Sequence, residues 1–209
     1  MKTVQLKKTK DSNFEYISEK LDSLGVDVST CTVAGVDEKP NEDAFVGVVD
    51  DGLLWLGVID GTTSLKQLEK LKRVSGARFS SHFLAEKFSM INTREQPGNV
   101  LLNLNKKLLK ETIKLAGKLE DTHSLPASVG TLIKLDFSQR TINMAHAGDT
   151  YCVIYYKNGD SEVISDDRNK KFDDEMFSLI KQIAQKEKIT NREARQREEV
   201  KEALVGMYI

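Results

Sequence analysis

The chain has 209 residues, of which 30% are charged and 39% hydrophobic, with a formal net charge of −1. That length suits one generous domain or a domain with an appendage, and it can bury a substantial core. A charge balance so close to neutral gives no argument for a nucleic-acid or anionic-membrane partner. Two cysteines occur, Cys31 and Cys152; both lie in strand-like apolar runs and read as buried free thiols in a reducing compartment. No window approaches a membrane span, and Met1–Lys8 has no apolar h-region, so the expected location is the cytoplasm.

In chain order, residues 1–10 are basic and read as a loose arm or an edge strand. Phe14, Ile17, Leu21 and Leu24 then have helical spacing, with Ser12 as N-cap, Glu15 three residues on and Gly25 as the stop. The Val- and Thr-rich run 26–36 reads as a strand. A polar loop through Pro40 leads to Asn41-Glu42-Asp43. Two apolar runs follow, 44–49 and 53–59, joined by Asp50-Asp51-Gly52, which is a hairpin signature. Asp43 precedes the first run and Asp60 follows the second, so antiparallel pairing brings two carboxylates to one edge of the sheet. Carboxylates meeting there suit a hard divalent cation; acidic turns also arise simply because Asp is a good turn residue.

Residues 65–73 read as a loop or one or two helical turns. A helix is predicted over 74–90 from Ala77, Phe79, Phe83, Leu84 and Phe88, and its Ser75-Gly76-Ala77 start permits close approach to a neighbouring backbone. Pro97-Gly98-Asn99 reads as a break before a long amphipathic helix, 100–119, with Leu101, Leu104, Leu108, Ile113 and Leu115 on its apolar side. Strands are predicted at 127–137, 141–147, 150–156 and, after the Asn158-Gly159 turn, 162–164. Beyond Asp166 the sequence is densely charged and reads as two helices, 172–188 and 191–204. Blocks of strands, two helices, strands and two helices predict an α+β fold with mainly antiparallel sheet. No Gly-rich phosphate loop of the Walker or dinucleotide kind is present.

Taken together, Asn41-Glu42-Asp43-Ala44, Asp60-Gly61, Gly130-Thr131, Gly148-Asp149-Thr150, Asn158-Gly159 and Ser165-Asp166-Asp167 fall in the order and spacing of the PP2C-type metal-dependent protein phosphatases. The chain resembles that family from about Val28 to Asp167, and more loosely along the tail. The resemblance implies an α-β-β-α sandwich of two mainly antiparallel sheets flanked by helix pairs. It implies a single domain over 1–209, with an arm and helix at 1–25, a sandwich core at 26–165 and a helical tail at 166–209. It implies two Mn²⁺ or Mg²⁺ ions at one end of the sandwich. By family analogy Asp60 bridges the ions, Gly61 offers its carbonyl, Asp43 reaches the second ion, Glu42 holds a metal-bound water and Asp149 serves a third, weaker ion. The implied reaction is hydrolysis of phosphoserine or phosphothreonine in a phosphoprotein by a metal-bridging hydroxide, with no protein nucleophile. The alternative is a PP2C-like module that no longer turns over and serves as a binding or regulatory unit.

The departures from the family pattern are specific. Glu38 stands where the family places a phosphate-gripping Arg; Lys39 beside it can substitute only as a point charge. Thr62 stands where animal members carry a His, and Lys39 and Thr62 are the substrate-binding candidates. The late metal-binding aspartates find no match before Ile209, which reads as a truncated polypeptide or a member without half its metal shell. A chain lacking those strands is expected to expose a sheet edge and self-associate. Among the remaining candidates, His82 and Trp55 read as packing residues, Asp50-Asp51 as a turn and 192–201 as a solvated helix face. His146 is a better site candidate by its nearness to Gly148-Asp149. Arg73 and Arg78 are minor candidates for a phosphate grip.

Overall fold

The structure is a computed structural model, and it describes residues 14–21, 24–33, 41–62, 69–72, 74–116, 125–166 and 170–207. It divides into two compact units, 1–165 and 166–209. The fold is α+β with antiparallel sheets throughout. In the first unit, β3 (Ala44–Asp50), β4 (Leu53–Thr62), β5 (Ala127–Asp136) and β6 (Thr141–Ala147) form a four-stranded sheet in sequential order. Two antiparallel ribbons accompany it: β1 (Phe14–Leu21) with β2 (Val26–Val33), and β7 (Val153–Tyr155) with β8 (Ser161–Val163).

The helix expected from Ser12 to Leu24 is not formed. Residues 14–21 are strand β1, paired with β2 from Phe14↔Val33 to Leu21↔Val26, and Gly25 turns the connection at φ 66°. A helix of so few turns is marginal by itself, whereas the β-branched run of β2 offers a full backbone ladder. The expected basic arm lies outside the described residues.

The β3–β4 hairpin forms as read, around Asp51 at φ 42° and Gly52 at φ 77°, the two positive dihedrals of a type I′ turn. Thr93 donates to Asp50 at 2.5 Å, and Arg94 pairs with Asp51 at 2.6 Å. The acids of this turn are therefore structural.

Alternation along β4 sends Leu53, Trp55 and Ile59 to one face, where they meet Val46, Val48 and Leu132 from the neighbouring strands. Two helices cover that face, α1 (Gly76–Phe88) through Phe88 and α2 (Pro97–Ala116) through Val100 and Leu104. The expected break at Pro97 is instead the first residue of α2, where a missing N–H costs nothing and the fixed φ suits a helix. Trp55 is fully buried, meets Phe88 edge-to-face at 5.9 Å and donates its indole N–H to the Thr93 carbonyl at 3.1 Å. Lys134 lies over the indole at 5.5 Å while donating to the Glu95 carbonyl. Trp55→Ala is expected to lower the unfolding free energy by about 3–5 kcal/mol, measured by urea denaturation; a loss below about 1 kcal/mol would deny Trp55 its place at the centre of this core.

Alternation also corrects the reading of the thiols. Both cysteines are free, but Cys31 is exposed and Cys152 only half-buried, with burial raising the Cys152 pKa. On β2 the odd residues 27, 29 and 31 face outward, so an apolar run does not guarantee a buried cysteine. The β7–β8 ribbon is open as well, with Tyr155 78% and Val163 58% exposed.

The second unit packs α3 (Lys170–Glu187), α4 (Asn191–Ala194) and α5 (Glu198–Met207) around Met176, Ile180, Ile183, Ala194 and Val200. The expected single helix over 191–204 is thus two. Thr190 opens α4 with a reciprocal capping box to Glu193. Among the described residues no helix is long and apolar enough to cross a membrane.

Candidate metal centre

The hairpin register runs to Ala44↔Ile59, which makes Asp43 and Asp60 the next facing pair. The Asp43 carboxyl is pushed up to about 6, with burial as the largest cause, followed by its interaction with the Asp60 carboxyl and then by the negative charge of Glu42. A second negative charge so close raises the cost of ionising Asp43. A hard divalent cation is the partner that would relieve the pair, with waters completing a shell of oxygen donors. The donor chemistry at this edge therefore fits Mn²⁺ or Mg²⁺.

Around that pair the backbone is drawn in tightly. Gly61 is buried, and a Cβ there would overlap the Ala77 carbonyl and come 2.8 Å from the Glu42 carbonyl. Only a glycine lets the end of β4, the first turn of α1 and the acidic loop meet at this distance. Ser75 caps α1 by accepting from the Arg78 N–H at 3.1 Å and donates to the Glu42 carboxylate at 2.5 Å. Arg78 reaches the Asn41 carbonyl at 2.6 Å, and Ser81 donates to the Glu42 carbonyl. The Asp43 N–H donates to the Asn41 side chain at 2.9 Å, and Asn41 in turn donates to Thr32 of β2.

The other predicted residues fall as follows. Thr62, half-buried, ends β4 opposite Ala127. Asp149 is exposed just beyond β6, whose Ala147 faces Gly130 on β5, so it leaves the sheet at the edge that carries Asp43 and Asp60. Among the described residues no three His, Cys, Asp or Glu gather closely enough to hold a metal ion. The dyad is formed, and neither Glu42 nor Asp149 closes on it as a third. His146 pairs instead with Thr131, its register partner, at 3.0 Å, and Thr131 also bonds Thr150 at 2.7 Å. Lys39, Glu38 and Arg73 lie outside the described residues.

Residues 34–204 match the sequence profile of Protein phosphatase 2C. The chain belongs to that family. None of the curated proteins matches it significantly. Among solved structures it is similar to RsbX in complex with magnesium, at 13% identity and a TM-score of 0.42, covering 74% of this chain and 57% of that one. The chain thus spans less than two thirds of that protein's length.

Within this PP2C chain, Ser80 and Ser81 on α1 are site residues that sequence reading does not single out, and Ser75, the N-cap of α1, is read only as part of a close-approach start. Their signal is the Ser-Gly-Ala-Arg-Phe-Ser-Ser stretch, whose small residues announce close approach while leaving the role of the hydroxyls open. Ser80 donates to the Ala127 carbonyl at 2.5 Å and accepts from Ser128 at 2.7 Å.

Proposed function

We propose that this PP2C chain is a divalent-cation-dependent phosphatase acting on phosphoserine or phosphothreonine in proteins. The observation that carries the reading is the Asp43–Asp60 pair, two acids that the hairpin register sets face to face at the sheet edge. Asp43, Asp60 and the Gly61 carbonyl hold the cation, Mn²⁺ or Mg²⁺, and Asp149 serves a further, weaker ion. A bound divalent cation supplies an activated water and neutralises phosphoryl charge. Glu42, fixed by Ser75, orients water beside the pair. Thr62 and Lys39 contact the phosphoryl oxygens, Lys39 as a point charge in place of an arginine fork. A cytoplasmic setting belongs to the same proposal and is supported by the two free thiols.

One observation favours a second reading, a PP2C-like binding module without turnover: no third acid joins the dyad among the described residues. Metal-stripped protein titrated with Mn²⁺ and assayed on a phosphothreonine peptide and on p-nitrophenyl phosphate separates the two. Mn²⁺-dependent peptide hydrolysis establishes the phosphatase. Binding without turnover establishes the module, and turnover of small phosphoesters alone removes the protein-substrate reading.

A further inference from the structure

Helix α1 meets the end of β4 through the backbone of Ala77, and through hydroxyls it reaches residue 42 ahead of β3 and residues 127 and 128 at the start of β5. Ser80 and Ser81 are both fully buried in a helix interior, where alanine is the better helix former. Ser81 donates to the carbonyl of Glu42, the residue before Asp43. Ser80 donates to the carbonyl of Ala127 at 2.5 Å and is itself bonded by Ser128; these two residues open β5 opposite Thr62 and Gly61. Between these two attachments the end of β4 lies against Ala77, so closely that no Cβ fits at Gly61. Successive helix residues point about 100° apart, so adjacent serines serve the β3 side and the β5 side from one turn.

We propose that Ser80 and Ser81 are positioning residues that fix the Asp43 and Asp60 strand ends against one rigid helix and so set the site's grip on its cation. This rests on the metal-site reading above. The hydroxyls touch neither substrate nor cation; they act through the backbone of residues 42 and 127. Their place resembles that of the outer partners that orient metal ligands, whose loss commonly weakens binding about 10–100-fold.

The test uses the full chain with Ser81→Ala, Ser80→Ala and, as a core control, Leu104→Ala, whose side chain is buried under α2. Mn²⁺ affinity is measured by calorimetry on metal-stripped protein, and amide exchange over residues 41–46 is followed without metal. Ser81→Ala is expected to bind Mn²⁺ at least ~10-fold more weakly and to exchange faster at Asp43 and Ala44. Leu104→Ala, destabilised more, is expected to keep wild-type affinity. Ser81→Cys, similar in size but a weaker donor, should fall between and serves if Ser81→Ala does not fold. Wild-type affinity and exchange in the serine variants would overturn the proposal, as would an equal affinity loss in Leu104→Ala. If wild-type protein binds no Mn²⁺, the metal reading falls alone, and the exchange measurement still decides the serines.

Discussion

Asp60→Asn will remove Mn²⁺ binding and phosphopeptide hydrolysis together, while leaving the metal-free protein at neutral pH more stable than the wild type. The loss follows from taking away one of the two carboxylates that, among the described residues, meet at the sheet edge; turnover should fall on the order of 10³-fold or more, since the rate acceleration comes from the cation. The gain follows from relieving Asp43, whose carboxyl rises from 3.8 to about 6 in the folded protein. A folded-state pKa above the unfolded value means that the native state binds more protons between those values, so stability falls as pH rises through that interval. At pH 7 the full shift would correspond to roughly 3 kcal/mol; burial, its largest cause, and the Glu42 charge remain in Asp60→Asn, and solvent screening trims the rest, so the expected gain is at most about 1 kcal/mol. Thermal denaturation of metal-free protein at pH 4 and pH 7 reads this directly. The variant should exceed wild type at pH 7, and the difference should shrink at pH 4. Equal stability at pH 7 would mean that the two acids are not forced together, and retained Mn²⁺ affinity would move the metal centre elsewhere.

The dyad is legible in the sequence because the hairpin register is enough to set Asp43 opposite Asp60. Two apolar runs joined by Asp-Gly fix an antiparallel register, and the residues flanking the runs must then meet at one edge. The same logic locates β5, β6 and the Asn158-Gly159 turn. It fails at residues 14–21, where three apolar residues at helical spacing are outweighed by the ladder available from β2. It fails again at Cys31, where run composition hides the alternation that turns the thiol outward. The serines of α1 escape for a different reason. Small residues on a helix announce close packing, but which carbonyls their hydroxyls reach depends on contacts 39 and 47 residues away in sequence. Asp149 shows the limit from the other side: its motif places it beyond β6 at the sheet end shared with Asp43 and Asp60, yet among the described residues no third acid gathers with that pair.

Gly61→Ala is expected to be among the most damaging added methyl groups in the first unit. A Cβ at residue 61 overlaps the backbone of Ala77 and presses on the Glu42 carbonyl at 2.8 Å, and backbone cannot step aside as a side-chain tip can. Relief requires α1 to lift from β4, which would strain the bonds of Ser80 and Ser81 and the packing of Phe88 against Trp55. We expect a loss of about 3 kcal/mol or more, above the usual cost of overpacking because backbone must move. Gly98→Ala provides the contrast. That glycine sits in the first turn of α2, where an added methyl would meet nothing within 4 Å, and alanine there should stabilise by about 0.5–1 kcal/mol through lower unfolded-state entropy and better helix propensity. Chemical denaturation of both variants, with Mn²⁺ titration of whichever remains folded, separates the explanations. If Gly61→Ala folds stably yet binds Mn²⁺ poorly, the helix has moved and carried the acidic loop with it. If it folds stably and binds as wild type does, α1 does not press on the end of β4, and the site owes its geometry to the hairpin alone.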